Sequence, residues 1–432
     1  MKVSTYKYIK ISIFGTILFS VLYIDSLRVI GFSIYNLMQI ILFAILFIGI
    51  IQRFPSFPNN LKNLFITGVL GSVCAIINWN TFDNLTSDLS FFSNTITIPI
   101  VLPFLFYYYR NKNLSETRRG LLALTCFYIF SSIPFLLGLL QQKEGAEDIL
   151  WKYGLENGRE VFIGFYGSVA NSSKILSISL LTAFAFFLQK KRNIWLILLV
   201  TVGGYALIFT FARTGWFTFI IGLLILYVAG RKWKEIITKV IPMILISIMF
   251  LGFIVSTNDF ISRRIQGNKV YNEQKDESLL AVYEGSRLGI QGAAVNIIMD
   301  MSTSELVLGI GIEELKNRMG KYFGSNIVPH NKILMIIIGG GLKMLFFYIL
   351  YVLYLFRFVK QYSSLRNKSY FIKLPLILFA IFIVTQIPSH GFEFFSSILF
   401  SYVIIYSVKI RQYETLKFSK DGNDIFNQIK NE

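Results

Sequence analysis

The chain has 432 residues, of which 54% are hydrophobic and only 15% are charged, and its formal net charge is +18. Soluble domains have about 45–50% apolar and about 25% charged residues. The composition therefore excludes an ordinary soluble protein and predicts a membrane protein. Both cysteines lie in apolar segments, so they give no indication of a disulfide.

Apolar segments recur along the whole chain. A helix needs about 20 such residues to cross a hydrocarbon core about 30 Å thick. The sequence therefore predicts an all-α polytopic protein with about twelve transmembrane helices in one integral membrane domain, residues 1–432. The predicted spans are 9–24, 29–51, 63–79, 91–109, 120–140, 162–188, 194–211, 214–229, 236–255, 331–358, 371–388 and 392–410. The first lacks a small-residue cleavage site, so we expect a retained span and not a signal peptide.

Lysine and arginine concentrate in alternate connections between the spans. Basic clusters fall at 110–119, 190–192, 231–239 and 357–373, while the short connections between them are poor in both residues. The positive-inside rule therefore predicts cytoplasmic N- and C-termini, with a cytoplasmic tail at 411–432. Because the positive charge follows one membrane face, we expect membrane lipids and not nucleic acid as its partner.

One outer connection, residues 256–330, is far longer than ordinary loops, and such loops usually have a function or a structure of their own. Its stretch SRLGIQGAAVNIIMDM repeats apolar residues at near-helical spacing, at Leu288, Val295, Ile298 and Met299. This pattern predicts an amphipathic helix on the extracytoplasmic membrane surface, with Arg287 at its beginning.

Several polar residues are not explained by the positive-inside rule, and they lie in the predicted outer connections. Arg213 lies in the tight connection TFARTGWF and His330 at the end of the long loop, while His390 and Glu393 occupy the turn PSHGFEFF. Guanidinium groups bind phosphate oxygens in pairs, and histidine can accept a proton from an attacking hydroxyl. These residue types predict a site for a phosphate-containing substrate.

Nucleotide and metal motifs are missing from the sequence. It has no G-x-x-x-x-G-K-[ST] and no paired Cys/His spacing. Gly309 and Gly311 of GIGIEE lack the third glycine of a dinucleotide site, so we expect a turn or helix start there. We therefore expect no cofactor and no metal. Nucleotides are scarce outside the cell, so an enzyme there would use an activated substrate such as a lipid-linked pyrophosphate.

Four short motifs occur in a characteristic order: FARTGW, SRLGIQGA, LGIGIEEL and PHNKIL. Together with GFYGSVANSSKILSISLL at 164–181, they resemble the O-antigen ligase and O-antigen polymerase superfamily, mainly over residues 160–345. Its members are polytopic glycosyltransferases of GT-C-like architecture. They act on undecaprenyl-diphosphate-linked glycans at the outer face of the bacterial cytoplasmic membrane.

The resemblance implies catalytic roles for Arg213, Arg287 and His330, with Asn331 beside the histidine. It also implies an undecaprenyl-diphosphate-linked oligosaccharide donor and acceptor, and it suggests a chain-length regulator protein as a partner. Two residues depart from the family pattern: Ala212 stands where serine is common, and Lys343 replaces a small residue in span ten.

Two lysines lie inside predicted spans. Lys174 and Lys343 follow the outer boundaries by 13 or 14 residues, which places them about 20 Å down straight helices. An uncompensated charge there costs at least about 2.5–3.5 kcal/mol, so we expect both to face a wet cavity or an anionic ligand. The full set of candidate substrate-binding residues is Asn171, Lys174, Asn331, Lys343, His390 and Glu393.

Three functions fit this sequence. The leading interpretation is a metal-independent polymerase of an O-antigen or capsular polysaccharide, and the alternative within the superfamily is a ligase that transfers finished glycan to a lipid or other acceptor. A flippase for lipid-linked oligosaccharides would share the spans and the basic charge. The long outer loop counts against it, because alternating access depends on polar helices near the midplane.

The predicted orientation can be tested with single cysteines at positions 115 and 275, in a chain without Cys74 and Cys126. An impermeant thiol reagent should label intact cells at position 275 only, because position 115 is predicted to be cytoplasmic. Labelling at 115 and not at 275 would reverse the orientation and every site residue assigned from it.

Overall fold

The computed structural model describes residues 28–29, 32–33, 46–78, 85–133, 169–189, 194–210, 212–229, 231, 238, 287–324, 326–329, 331–386 and 394–429. This part of the chain is all-α apart from one antiparallel ladder, β1 (Arg28–Val29) with β2 (Phe32–Ser33). The ladder falls at the start of predicted span 29–51, so that part of the prediction is wrong. Span 9–24 and nearly all of 236–255 lie outside the described residues.

The named helices of the described residues are α1 (Asn59–Ile76), α2 (Leu85–Tyr109), α3 (Leu114–Phe130), α4 (Val169–Gln189), α5 (Ile194–Phe209), α6 (Arg213–Val228), α7 (Arg287–Asp300), α8 (Thr303–Leu308), α9 (Ile312–Phe323), α10 (Lys332–Tyr362), α11 (Tyr370–Thr385) and α12 (Phe394–Ile429). Helices α7 to α9 belong to the long loop, and the others fall at predicted spans. By length and composition alone, two described helices could cross a membrane, Ala170–Gln189 and Lys332–Tyr362. Helix α12 continues well beyond the predicted end of span twelve.

A large apolar core joins most of these helices. Helix α1 packs on α2 and α10, α12 packs on α2 and α3, and α4 packs on α5, α6 and α11. Large aromatic side chains fill the centre, where the ring centroids of Phe186 and Phe371 lie 4.5 Å apart. Helix α1 runs antiparallel to the second part of α10, because Gly71 lies against Phe347 and Gly68 against Tyr351.

A second core holds the loop helices against the bundle. Ile290, Ala294 and Ile297 of α7 are buried with residues of α9 and of the first part of α10. A helix is thus confirmed at Arg287–Asp300, but its buried side faces the protein, and its predicted position on the membrane surface stays a prediction. Val295 is also exposed and Met299 is 76% exposed, so α7 carries a separate apolar surface on its outer side.

Charged side chains connect α8 to α9. The Glu305 carboxylate accepts from the Ser302 backbone N–H at 2.9 Å, completing the capping box that starts α8. Arg318 of α9 also donates to Glu305, and it bonds Glu314 at 3.0 Å. The hydrogen bond from Arg318 holds the pKa of the Glu305 carboxyl below its usual value.

The loop and α10 meet backbone to backbone. Gly309 and Gly311 both have φ near +80° with extended ψ, a conformation open essentially only to glycine. The N–H of Ile310 donates to the Ile338 carbonyl at 2.8 Å, and the N–H of Gly311 donates to the Gly339 carbonyl at 3.0 Å. The turn and helix start expected for GIGIEE are confirmed, since Gly311 is the N-cap of α9.

Helix α10 is broken where this contact occurs. Gly341 has φ 75° and ψ −179°, so it cannot continue a helix. Lys332 and Tyr348 line the same cleft, although 16 residues would separate them by about 24 Å in a straight helix. The first part of α10 therefore bends sharply back at Gly341, so the predicted span 331–358 is helical but is not one straight helix.

This junction can be tested by comparing two glycines that both have positive φ. A Cβ at Gly309 would lie 2.6 Å from the backbone carbon of Gly340, whereas a Cβ at Gly324 would meet nothing within 4 Å. Gly309→Ala should lose about 3 kcal/mol or more, and Gly324→Ala about 1–2 kcal/mol. Gly324 has left-handed helical angles that alanine can adopt at a cost, whereas Gly309 has angles open essentially only to glycine and its new Cβ would also clash. Thermal midpoints of the purified chain in detergent measure both losses. Equal losses would show that the loop does not need this close contact.

Candidate functional site

The described part of the chain contains some of the predicted site residues in full and others only as backbone. Asn171 and Lys174 lie in the first turns of α4. Arg213 and Arg287 are the first residues of α6 and α7, and the structure describes their backbone only. Asn331 and Lys343 are described with their side chains, whereas His330, His390 and Glu393 lie outside the described residues.

The start of α6 lies directly against α4. A Cβ at Gly215 would come within 2.5 Å of the Ser173 Cβ, so the two backbones approach closely only because residue 215 is glycine. The Ser177 hydroxyl lies 2.8 Å from the Gly215 carbonyl oxygen, within hydrogen-bond distance. This contact brings the backbone of Arg213 into the neighbourhood of Lys174.

Hydrogen bonds fix the connection that carries Arg213. The Leu207 carbonyl accepts from the Thr210 hydroxyl at 2.7 Å and from the Trp216 indole at 2.9 Å. Ala212 is the N-cap of α6 and supplies no side-chain cap, while its N–H donates to the Thr210 hydroxyl at 3.4 Å. The turn is therefore stabilised by the residues on either side of Ala212.

Lys174 is enclosed by protein. Its side chain is only 3% exposed, and its ammonium lies 3.5 Å from the Asn171 amide oxygen. The same helix buries a series of hydroxyl side chains: Ser172, Ser173, Ser177, Ser179 and Thr182. Lys174 therefore faces the interior of the bundle among polar groups.

Lys343 has a different environment. Its ammonium donates to the carbonyl of Ile77, which is the C-cap of α1. A positive charge at this end of a helix is favourable because it meets the free carbonyls and the negative end of the helix dipole. The predicted depth of Lys343 assumed an unbroken helix, and α10 is broken two residues earlier at Gly341.

Asn331 holds the beginning of α10. Its side-chain oxygen accepts from the backbone N–H groups of Ile333 at 3.0 Å and Leu334 at 3.2 Å, so it is an N-cap. The next residue, Lys332, is 5% exposed, and its ammonium lies 4.4 Å from the centre of the Phe91 ring. The backbone N–H of Lys332 donates to the Gln386 carbonyl at 2.8 Å, which ties α10 to the end of α11.

Sequence reasoning missed Lys332, Gln386 and Ser397. All three are buried and line one cleft. In each case the sequence showed only a polar residue within or near the end of an apolar span. Many residues at membrane interfaces share this feature, so it did not single these three out.

The structure describes two polar regions, one at the starts of α4 and α6 and one at the start of α10. Helices α11 and α12 connect them, because both pack on α4 and on α10.

Comparisons with protein families, with curated proteins and with solved structures found no match to this chain. Within the described residues, no three His, Cys, Asp or Glu side chains come together in a group that could hold a metal ion.

The contact of α6 with α4 predicts the effect of adding one methyl group. Gly215→Ala should lose about 1–3 kcal/mol of stability, because the new Cβ overlaps Ser173. Gly204→Ala on α5 is the matched control, since its Cβ would meet nothing within 4 Å. Adding Ser173→Gly to Gly215→Ala should restore part of the thermal midpoint by removing the opposing Cβ. A double variant no more stable than Gly215→Ala would contradict the proposed contact.

Proposed function

We propose that this chain is a glycan polymerase of the cytoplasmic membrane in a bacterium. It transfers a growing glycan from undecaprenyl diphosphate to a hydroxyl of the next lipid-linked repeat unit. The observation that carries the proposal is the buried Lys174, with Asn171, against the start of α6 that bears Arg213. A cationic, hydrogen-bonding region within an apolar bundle suits a diphosphate that enters from a membrane.

The proposed placement is multi-pass, with about twelve spans, both termini cytoplasmic and the site extracytoplasmic. Large apolar side chains exposed on α5, α6 and α10 support it, since they would face lipid: Ile194, Trp195, Phe217 and Phe346. Span ten would be residues 342–362, which are about 31 Å long at 1.5 Å per residue. The bent first part of α10 would then lie at the outer mouth with α7 to α9.

In the proposed reaction, the acceptor hydroxyl oxygen attacks the anomeric carbon while the bond to the lipid diphosphate breaks. His330 takes the hydroxyl proton as general base. Arg213 and Arg287 stabilise the negative charge on the departing diphosphate. A single displacement inverts the anomeric centre, and this mechanism uses no metal.

Two other functions are compatible with the same residues. A ligase would use the same donor chemistry with a different acceptor. A flippase is favoured by one observation, the buried series of serine and threonine residues on α4 next to Lys174. In detergent a flippase forms no glycosidic bond, so an activity assay with purified protein separates it from both transferases.

The proposal is tested by incubating the purified chain with an undecaprenyl-diphosphate-linked repeat unit and following glycan length. His330→Ala should abolish polymer, because general-base catalysis contributes about 10²–10⁴-fold. Arg213→Lys should reduce activity by one to two orders of magnitude, since the lysine keeps the charge but loses the paired hydrogen bonds, worth about 1.5–3 kcal/mol. Arg231→Lys is the control, because Arg231 follows the other end of α6, where it stacks on Tyr227.

Wild-type activity in His330→Ala would exclude the proposed base. Near-normal activity in Arg213→Lys would exclude the paired clamp on the diphosphate. A chelator in the reaction tests whether the wild-type chain works without a metal ion.

A further inference from the structure

A polar cleft lies where the bent α10 meets α2, α11 and α12. Its empty volume, including the open mouth, is about 270 Å³. The lining side chains come from all four helices and from the residue that follows α11: Asn94, Thr95, Ile98, Lys332, Tyr348, Tyr351, Phe382, Gln386 and Ser397. The cleft exists because the break at Gly341 brings Lys332 and Tyr348 to the same place.

Three polar atoms in this lining are buried and have no hydrogen-bond partner within the described residues. They are the Tyr348 hydroxyl, the Gln386 amide oxygen and the Ser397 hydroxyl. Leaving such atoms unbonded is costly, so three of them around one cleft indicate an occupant that hydrogen-bonds.

The chemistry of these groups restricts the occupant. The Gln386 amide oxygen only accepts, so the occupant must offer a donor, which a carboxylate or a phosphodiester does not have. The hydroxyls of Tyr348 and Ser397 can each donate and accept. Lys332 adds a donor, and the rings of Tyr351 and Phe382 add apolar surface. Several hydroxyl groups on an otherwise apolar ring match this set, and that is the chemistry of a sugar.

We propose that the cleft binds the hydroxyl-bearing edge of the acceptor sugar, an inference that rests on the proposed function. The acceptor and not the donor is assigned to it, because Lys332 follows the proposed base His330 by two residues in the chain. The donor diphosphate belongs at the start of α6, where Arg213 lies. Gln386 and Ser397 are thus specificity-determining residues for the acceptor.

Helix α12 supplies a matched pair of variants for the test. Ser397 and Ser401 are both buried and both have hydroxyls without a partner among the described residues, but only Ser397 lines the cleft. Removing an unbonded buried hydroxyl leaves no new polar group unsatisfied, so Ser397→Ala and Ser401→Ala should both fold.

The first measurement is direct binding to the full purified chain in detergent, by saturation-transfer NMR with methyl α- and β-glycosides of common hexoses. We expect a saturable signal in the wild type and in Ser401→Ala. Ser397→Ala should weaken the binding roughly three- to tenfold, the effect of losing one neutral hydrogen bond. Gln386→Met should weaken it to a similar extent, since Met keeps the shape without the acceptor.

The second measurement is the transfer reaction with separate variation of acceptor and donor. Ser397→Ala should raise the acceptor KM with little change in kcat or in the donor KM, because the contact is made before and during the transfer alike. Ser401→Ala should leave all three parameters unchanged.

The outcomes separate this inference from the proposed function. Glycoside binding that depends on Ser397 in a chain without transferase activity supports the cleft and refutes the polymerase. Transfer activity with wild-type acceptor KM and wild-type glycoside binding in both Ser397→Ala and Gln386→Met overturns the cleft, which then holds ordered water only. The absence of glycoside binding to the wild-type chain also overturns it.

Discussion

The structure depends on one backbone-to-backbone contact, between the Gly309–Gly311 turn and the break in α10. Breaking a helix frees carbonyl groups that must find donors, and here the N–H groups of Ile310 and Gly311 supply them. The approach is too close for a Cβ at Gly309 or Gly341. This contact docks the long loop on the bundle and fixes the bend of α10. The polar cleft follows from that bend.

Each of three lysines in or near the apolar helices is stabilised by a neutral group. Lys174 lies beside the amide of Asn171, Lys332 lies over the ring of Phe91, and Lys343 bonds the carbonyl at the end of α1. These three arrangements have different effects on stability and on binding. A charge at a helix end stabilises that helix, whereas a lysine inside a polar region also makes the interior attractive to an anion or a hydroxyl.

The proposed reaction divides between two places that the fold keeps apart. The starts of α4 and α6 would hold the diphosphate, and the start of α10 follows the proposed base His330 in the chain. Helices α11 and α12 pack on both α4 and α10, so they set the spacing between the two places.

The sequence by itself determined the helical class, most helix positions and the tight turn before Arg213, because apolar periodicity and length act locally along the chain. It also named Asn171, Lys174 and Asn331 as candidate substrate-binding residues, and their binding roles stay predictions. The sequence did not indicate the bend within span ten, on which the estimated depth of Lys343 depended, and Lys332, Gln386 and Ser397 were missed. All of these follow from Gly341, whose φ depends on the loop that packs against it. The sequence Gly339-Gly340-Gly341 is compatible with close packing of a straight helix and also with a broken one. Only the tertiary contact between α10 and the distant Gly309–Gly311 turn decided where α10 bends, and therefore which side chains meet.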